Sequence, residues 1–155
     1  MAAATLIAGV SGRITPYLGF KDAPAAINFY TKAFAAKERF RLTEPSGKIG
    51  HAEIAIGDAV LMLADEYPDW GHLSAQTLGG CPIALHLYVA DVDAFMERAV
   101  KAGAIVLRSI EDTFFGDRSG QIADPFGYKW MIATRKEEVT PDEMQRRWTA
   151  TFGTA

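Results

Sequence analysis

The chain has 155 residues, of which 49% are hydrophobic and 23% are charged, and its formal net charge is -3. This length can bury one sizeable core, and the composition is typical of a globular protein. The slightly acidic balance argues against nucleic acid and anionic membranes as partners, and the lone Cys81 excludes an internal disulfide. We expect a cytoplasmic protein with residues 1–13 as a loose N-terminal tail, because their apolar run is too short to span a membrane.

The first module of the chain is predicted to begin with a strand and a helix. Residues 14–20 alternate in character and lead to Asp22, whose carboxylate is suited to cap a helix. Ile27, Tyr30 and Phe34 then recur at helical spacing, so residues 22–35 should form an amphipathic helix packed on a sheet. Three strands should follow, at residues 38–43, 49–56 and 59–64, with a two-residue hairpin at 57–58.

The middle strand of this module has two different faces. Ala52, Ile54 and Ile56 lie on one side and His51 and Glu53 on the other, because side chains alternate along a strand. The apolar side should meet the helix. The opposite side must face surroundings that accept a histidine and a glutamate.

Residues 65–82 are predicted to link this module to a second one. They contain Tyr67, Trp70 and His72 among glycines and acidic residues. Two interpretations are open: a structural linker packed down by Trp70, or a lid over a pocket.

The second half of the chain repeats the first at an offset of 69 residues, which relates Ile14–Asp22 to Ile83–Asp91. Eleven identical pairs share this offset without an insertion, which predicts one supersecondary unit duplicated in tandem. We assign residues 14–64 and 83–135 to two βαβββ modules of one domain, and residues 136–155 to a C-terminal helical tail. The second module should comprise a strand at 83–89, a helix between Asp91 and Gly103, and strands at 105–110, 120–123 and 129–134.

Several short motifs identify a family resemblance. Asn28-Phe29-Tyr30 in the first helix and Asp124-Pro125-Phe126-Gly127 before the last strand, within two βαβββ modules, resemble the vicinal oxygen chelate superfamily, which includes glyoxalase I, extradiol dioxygenases and bleomycin-binding proteins. Further stretches resemble its PhnB-like branch, namely Ile14–Leu18, Ile49–Glu53, Met62–Glu66, Leu85–Val89 and Gly116–Gly120. The resemblance implies an α+β fold in which the modules form cupped, partly closed mixed sheets with helices on the outside, the glyoxalase/bleomycin resistance fold.

The resemblance also implies where a metal would be held. The family's four ligand positions correspond to Thr15, Met62, Ala84 and Met131. Divalent ions prefer imidazole, carboxylate or thiolate, so we expect no metal cofactor and an apolar lining at the two methionines. Two thioethers would suit only Cu(I). A shift of the alignment by two residues would instead make His86 a metal ligand.

The side chains on the predicted concave faces define a candidate pocket. His86 and Glu53 are the candidate catalytic residues, because a histidine titrates near neutral pH and a carboxylate can accept a proton. The candidate ligand-binding residues are Tyr17, His51, Met62, Trp70, Tyr88, Arg118 and Met131. Glu53 needs a partner, for which Arg39, Arg41 and Arg118 are candidates. Arg118 either contacts an anionic ligand group or forms an ion pair with Asp117 or Glu53.

Three functions remain open at this point. The first is metal-free binding of a small organic molecule in the concave pocket. The second is a lyase, isomerase or dioxygenase-type enzyme, with either a shifted metal site or metal-free acid–base chemistry at His86 and Glu53. The third is a structural or regulatory homodimer, since unpaired sheet edges and apolar surface favour association of two copies.

Overall fold

The computed structural model describes residues 12–153, which form two four-stranded mixed sheets with helices. The strands are β1 (Tyr17–Phe20), β2 (Lys37–Thr43), β3 (Ile49–Ile56), β4 (Ala59–Asp65), β5 (Ala84–Tyr88), β6 (Ile105–Asp112), β7 (Asp117–Ala123) and β8 (Lys129–Arg135). The helices are α1 (Ala23–Phe34), α2 (Ala75–Leu78), α3 (Val92–Ala102) and α4 (Pro141–Phe152), and Pro68–Trp70 forms a 3-10 turn. The predicted tail lies outside the described residues except for Gly12 and Arg13. None of the helices in the described part combines the length and apolar character needed to cross a membrane.

The two sheets have the same strand order, β1-β4-β3-β2 and β5-β8-β7-β6. In each sheet the first strand runs parallel to the last strand of its module, and the other neighbours are antiparallel. This arrangement confirms the duplicated βαβββ plan and the α+β class. Strand β7 begins at Asp117, three residues before the predicted start, so Arg118 lies in a strand and not in a flexible stretch.

The duplication is not free of insertions. Strands β1 and β4 match β5 and β8 at an offset of 69, whereas Lys37 pairs with Ala55 where Ile105 pairs with Ala123, an offset of 68. Helix α1 has 12 residues and α3 has 11, so the second module lacks one residue at its helix end. It regains that residue in the longer turn between β7 and β8. The uninterrupted offset expected from the sequence is therefore wrong for β2 and β3.

Both long helices begin at the predicted caps. The carboxylate of Asp22 accepts a hydrogen bond from the amide of Ala25 at 2.9 Å, and that of Asp91 accepts from Ala94 at 3.0 Å. Each cap satisfies an amide that has no partner within the helix. The helix bounds within each module are therefore set by the same residue type.

The core lies between the sheets and the two long helices. Ala52, Ile54 and Ile56 of β3 are buried on the face that α1 covers, as predicted. Helices α1 and α3 also pack against each other, with the rings of Phe34 and Phe95 at 5.0 Å. The helix pair therefore joins the two modules.

Asp124 is the polar centre of the contact between modules. Its buried carboxylate accepts hydrogen bonds from the Tyr30 hydroxyl at 2.6 Å, from Trp130 Nε1 at 2.9 Å, and from the amides of Phe126 and Tyr128. Burial raises the pKa of this carboxyl, and the four donors oppose that shift. The turn motif thus fixes the position of the first helix as well as its own backbone.

The linker packs against the outer side of β1. Ser74 bridges to Gly19, and a Cβ atom on Gly19 would lie 2.6 Å from the carbonyl oxygen of Leu73. Glu66 accepts a hydrogen bond from the Ser74 amide at 2.7 Å. Hydrogen bonds from Ser74 and then Thr77 lower the pKa of Glu66 to about 2. The linker is therefore structured, with its own short helices.

Candidate functional site

The first sheet has one face that no helix covers, here called the first open face. Met62 pairs with both Tyr17 and Glu53, so these three side chains lie on this face, and His51 joins them two residues before Glu53. The alternation of β3 predicted this placement. Phe40 also lies here, because it pairs with Glu53 across a strand irregularity that the sequence did not reveal.

Polar contacts connect the side chains of the first open face. The Tyr17 hydroxyl and Nδ1 of His51 share a hydrogen bond of 2.9 Å. Nε2 of His51 lies 3.8 Å from a carboxylate oxygen of Glu53, whose other oxygen accepts from Arg39 at 2.7 Å. Burial raises the pKa of the Tyr17 hydroxyl. Arg39 is thus the partner of Glu53 among the three candidates, while Arg41 pairs with Glu38.

Aromatic rings flank this polar chain. The His51 ring lies 5.6 Å from the ring of Phe40 and 5.2 Å from that of Tyr17, which in turn lies 4.9 Å from His72. The four rings form a row from β2 to the linker. A flat or apolar group has a continuous aromatic surface to contact here.

The second sheet has a corresponding second open face. His86 and Gln121 both pair with Met131, so these side chains share one side of the sheet, and Tyr88 lies two residues beyond His86. The rings of His86 and Tyr88 are 4.7 Å apart. Tyr17 and His86 therefore occupy equivalent places in the two modules.

A charged cluster at the end of the second open face was not predicted. The buried carboxylate of Asp117 accepts hydrogen bonds from Tyr88 at 2.9 Å and from Arg135, which also donates to the Tyr88 hydroxyl at 2.7 Å. Tyr88 and then Asp117 raise the pKa of Arg135. A cavity of about 530 Å³ opens beside the cluster. The signal available was the alternation of β7, which places Asp117 on the same side as Gln121.

Trp70 and Arg118 lie away from these groups. The Trp70 side chain is 81% exposed and stacks on Tyr67 at 5.0 Å. The guanidinium of Arg118 donates to Asp93 of α3 at 2.8 Å and to Asp112 at 3.2 Å. Arg118 therefore lies on the helix side of the second sheet, and its ion pairs differ from both expected partners.

A cavity of about 490 Å³ lies between the two modules. On the first module it is bounded by residues 13–16 and by the start of β4, and on the second by β5 and Trp130. Among the predicted residues, Glu53, Met62 and His86 line it together. The structure thus brings both candidate catalytic side chains and one methionine to the same space.

The residues at the four family metal positions do not fit a divalent metal. Met62 and Met131 offer thioethers, Ala84 offers no donor atom, and Thr15 lies before β1. Such ions need oxygen, imidazole or thiolate ligands. Within residues 12–153, no three His, Cys, Asp or Glu side chains lie together as a metal-binding group. The residues present therefore supply no metal centre from which a reaction step could be derived.

Comparisons with known proteins agree with this architecture. The protein Rv0887c of Mycobacterium tuberculosis is 42% identical over 144 residues, which cover 91% of this chain and 85% of that protein. The crystal structure of PA1353 from Pseudomonas aeruginosa has a TM-score of 0.65 and 25% identity over 82% of this chain and all of that one. A PhnB protein from Bacillus cereus has a TM-score of 0.62 and 18% identity, covering 79% of this chain and 98% of that one. The model of the Glyoxalase/Bleomycin resistance protein/Dioxygenase superfamily matches residues 13–132, so the chain belongs to this superfamily.

Proposed function

We propose that the protein binds a small organic molecule in the cavity between its modules. The observation that carries this proposal is that Glu53, Met62 and His86 line one cavity of about 490 Å³. Ligand pockets commonly have volumes of about 300–1,000 Å³, apolar walls and a few convergent polar groups. The cavity has both kinds of wall and is large enough for a drug-sized molecule.

The lining suits a molecule with an apolar body and a polar group. Val60, Leu85 and Trp130 supply apolar surface, while the Arg39–Glu53 pair supplies adjacent hydrogen-bond donors and acceptors. An apolar body would lose contact with water on binding, and the polar group would fix its orientation. Because the ion pair is partly exposed, we assign it to orientation and not to affinity.

The dye 1-anilinonaphthalene-8-sulfonate tests whether the cavity takes an apolar ligand. Val60 pairs with Ala55 on the first open face, so Val60→Trp places the larger ring in the cavity and not in the core. We expect this variant to bind the dye at least about tenfold more weakly than the unsubstituted protein. Val100→Trp, at a half-exposed position on α3 outside the cavity, is the matched control and should bind normally. Equal dye binding by both variants would contradict the proposal.

An acid–base enzyme is a second candidate, because Glu53 and His86 line the same cavity. A histidine and a carboxylate in one pocket can exchange protons with a bound substrate. A compound that displaces the dye should then be converted slowly to product. His86→Ala should abolish the conversion and leave dye displacement intact. A compound recovered unchanged after prolonged incubation would leave binding as the function.

A further inference from the structure

The edge strand β6 begins with an exposed aliphatic segment. The segment consists of Ile105, Val106 and Leu107, which are 66%, 45% and 47% exposed. Strand order places β6 at the edge of its sheet, where it pairs with β7 alone in the described part of the chain. Natural proteins usually place charged residues on such an edge, since an exposed apolar edge favours pairing with another chain.

The first module provides an internal control for this segment. Lys37 pairs with Ala55 where Ile105 pairs with Ala123, so the two residues occupy equivalent places. One position further on, Glu38 corresponds to Val106 in the same way. Because the same fold carries charged residues at these places in the first module, it does not require aliphatic ones. The aliphatic segment therefore indicates a surface that another molecule covers.

The opposite end of β6 carries an aromatic cluster, formed by Phe114, Trp148 and Phe152. The Trp148 ring lies 5.7 Å from that of Phe114 and 4.5 Å from that of Phe152, and both α4 residues are more than half exposed. Helix α4 has no buried residue. Arg147 attaches it to the turn after β6 by donating to the Phe114 carbonyl at 2.9 Å. The aromatic cluster is a second apolar surface without cover.

Two charged residues lie between these apolar ends. Arg108 and Glu111 form no ion pair within residues 12–153, and Arg108 donates only to the Ser119 hydroxyl at 3.4 Å. Their partners on β7 are Gln121 and Ser119, which lie two residues apart, so both side chains point to the second open face. The strand irregularity between them makes this possible. The edge thus presents one cation and one anion on the same side.

We propose that a second copy of the chain pairs antiparallel along β6, about a two-fold axis between Ser109 and Ile110. This register places Arg108 of each copy opposite Glu111 of the other, on the same side of the joined sheet. The axis also exchanges the two ends of the strand, so each aliphatic segment meets the aromatic cluster of the other copy. One symmetric contact therefore covers both apolar surfaces and pairs both charges, as an isologous interface requires. This inference is independent of the proposed ligand.

Charge exchange in the full-length chain tests the partner and the register together. Sedimentation equilibrium should detect dimers at about 100 μM of the unsubstituted protein. Arg108→Glu and Glu111→Arg each place like charges opposite one another at two symmetric sites, so each should raise the dimer dissociation constant about tenfold. The double variant R108E/E111R restores opposite charges and should recover dimerisation. Lys37→Glu on the edge strand β2 is the matched control and should change nothing.

A second variant tests the apolar contact. Ile105→Lys with Val106→Glu gives β6 the residues that β2 carries at the equivalent places, so the fold should persist and circular dichroism should be unchanged. We expect this variant to be monomeric. A monomeric unsubstituted protein, dimers insensitive to Arg108→Glu, or failure of the double charge variant to recover would each overturn the proposal.

Discussion

The cap of helix α1 offers a prediction whose magnitude follows from the backbone. Ala35 adopts the left-handed conformation, with φ 53° and ψ 32°, whereas Gly103 caps α3 with φ 119° and ψ 5°. An alanine in this conformation costs about 1–2 kcal/mol, which glycine avoids. Glycine's greater freedom in the unfolded chain offsets about 0.4–1 kcal/mol of that gain. Ala35→Gly should therefore raise the free energy of unfolding by about 0.5–1 kcal/mol.

Thermal unfolding followed by circular dichroism measures this change. For a chain of this size the entropy of unfolding is about 0.3 kcal/mol/K, so the melting temperature should rise by about 2–3 °C. Gly103→Ala is the reciprocal variant. Its new Cβ would meet only Pro125 Cγ, at 3.7 Å, so the conformational cost dominates and the melting temperature should fall by about 3–6 °C. A fall for Ala35→Gly would refute the reasoning that the backbone angle controls this cap.

Two further predictions concern hydrogen bonds described above. Tyr30→Phe removes the hydroxyl donor to the buried carboxylate of Asp124 and should lower the free energy of unfolding by about 1.5–3 kcal/mol in a urea titration, and an unchanged midpoint would contradict this. Because the folded pKa of Glu66 is lowered from 4.5 to about 2, its stabilisation should be present above pH 4.5 and lost as the pH falls towards 2. Glu66→Gln should melt below the unsubstituted protein at pH 7 and together with it at the acidic limit; a pH-independent difference would contradict the linkage.

The repeat and the alternation of β3 were sufficient to predict the fold class, the helix caps and the first open face. They also identified Arg39 as a partner for Glu53, because adjacent strands bring these residues together. Phe40 was missed because its place depends on an irregularity between β2 and β3, which shifts the alternation by one residue. Local patterns carry no information on such shifts, since each depends on the neighbouring strand.

The Asp117–Arg135 cluster was missed for a related reason. Asp117 was assigned to a loop because Gly116 and Gly120 flank the segment, and only the paired strand β8 shows that β7 starts there. The role of Asp124 was also out of reach. Its motif predicted a turn, but the hydrogen bond to Tyr30 joins residues 94 positions apart in the chain. Contacts at such separations are not encoded in any local pattern.

The same hydrogen bond has a consequence for synthesis of the chain. The first module is translated with Tyr30 and Phe34, whose partners Asp124, Phe95 and Trp130 follow 60 to 100 residues later. Until those partners leave the ribosome, the first helix retains an uncovered aromatic surface, and such surfaces make nascent chains prone to aggregation. Completion of the fold therefore waits for nearly the whole polypeptide, and we expect the duplicated halves to be inseparable as folding units although their sequences repeat.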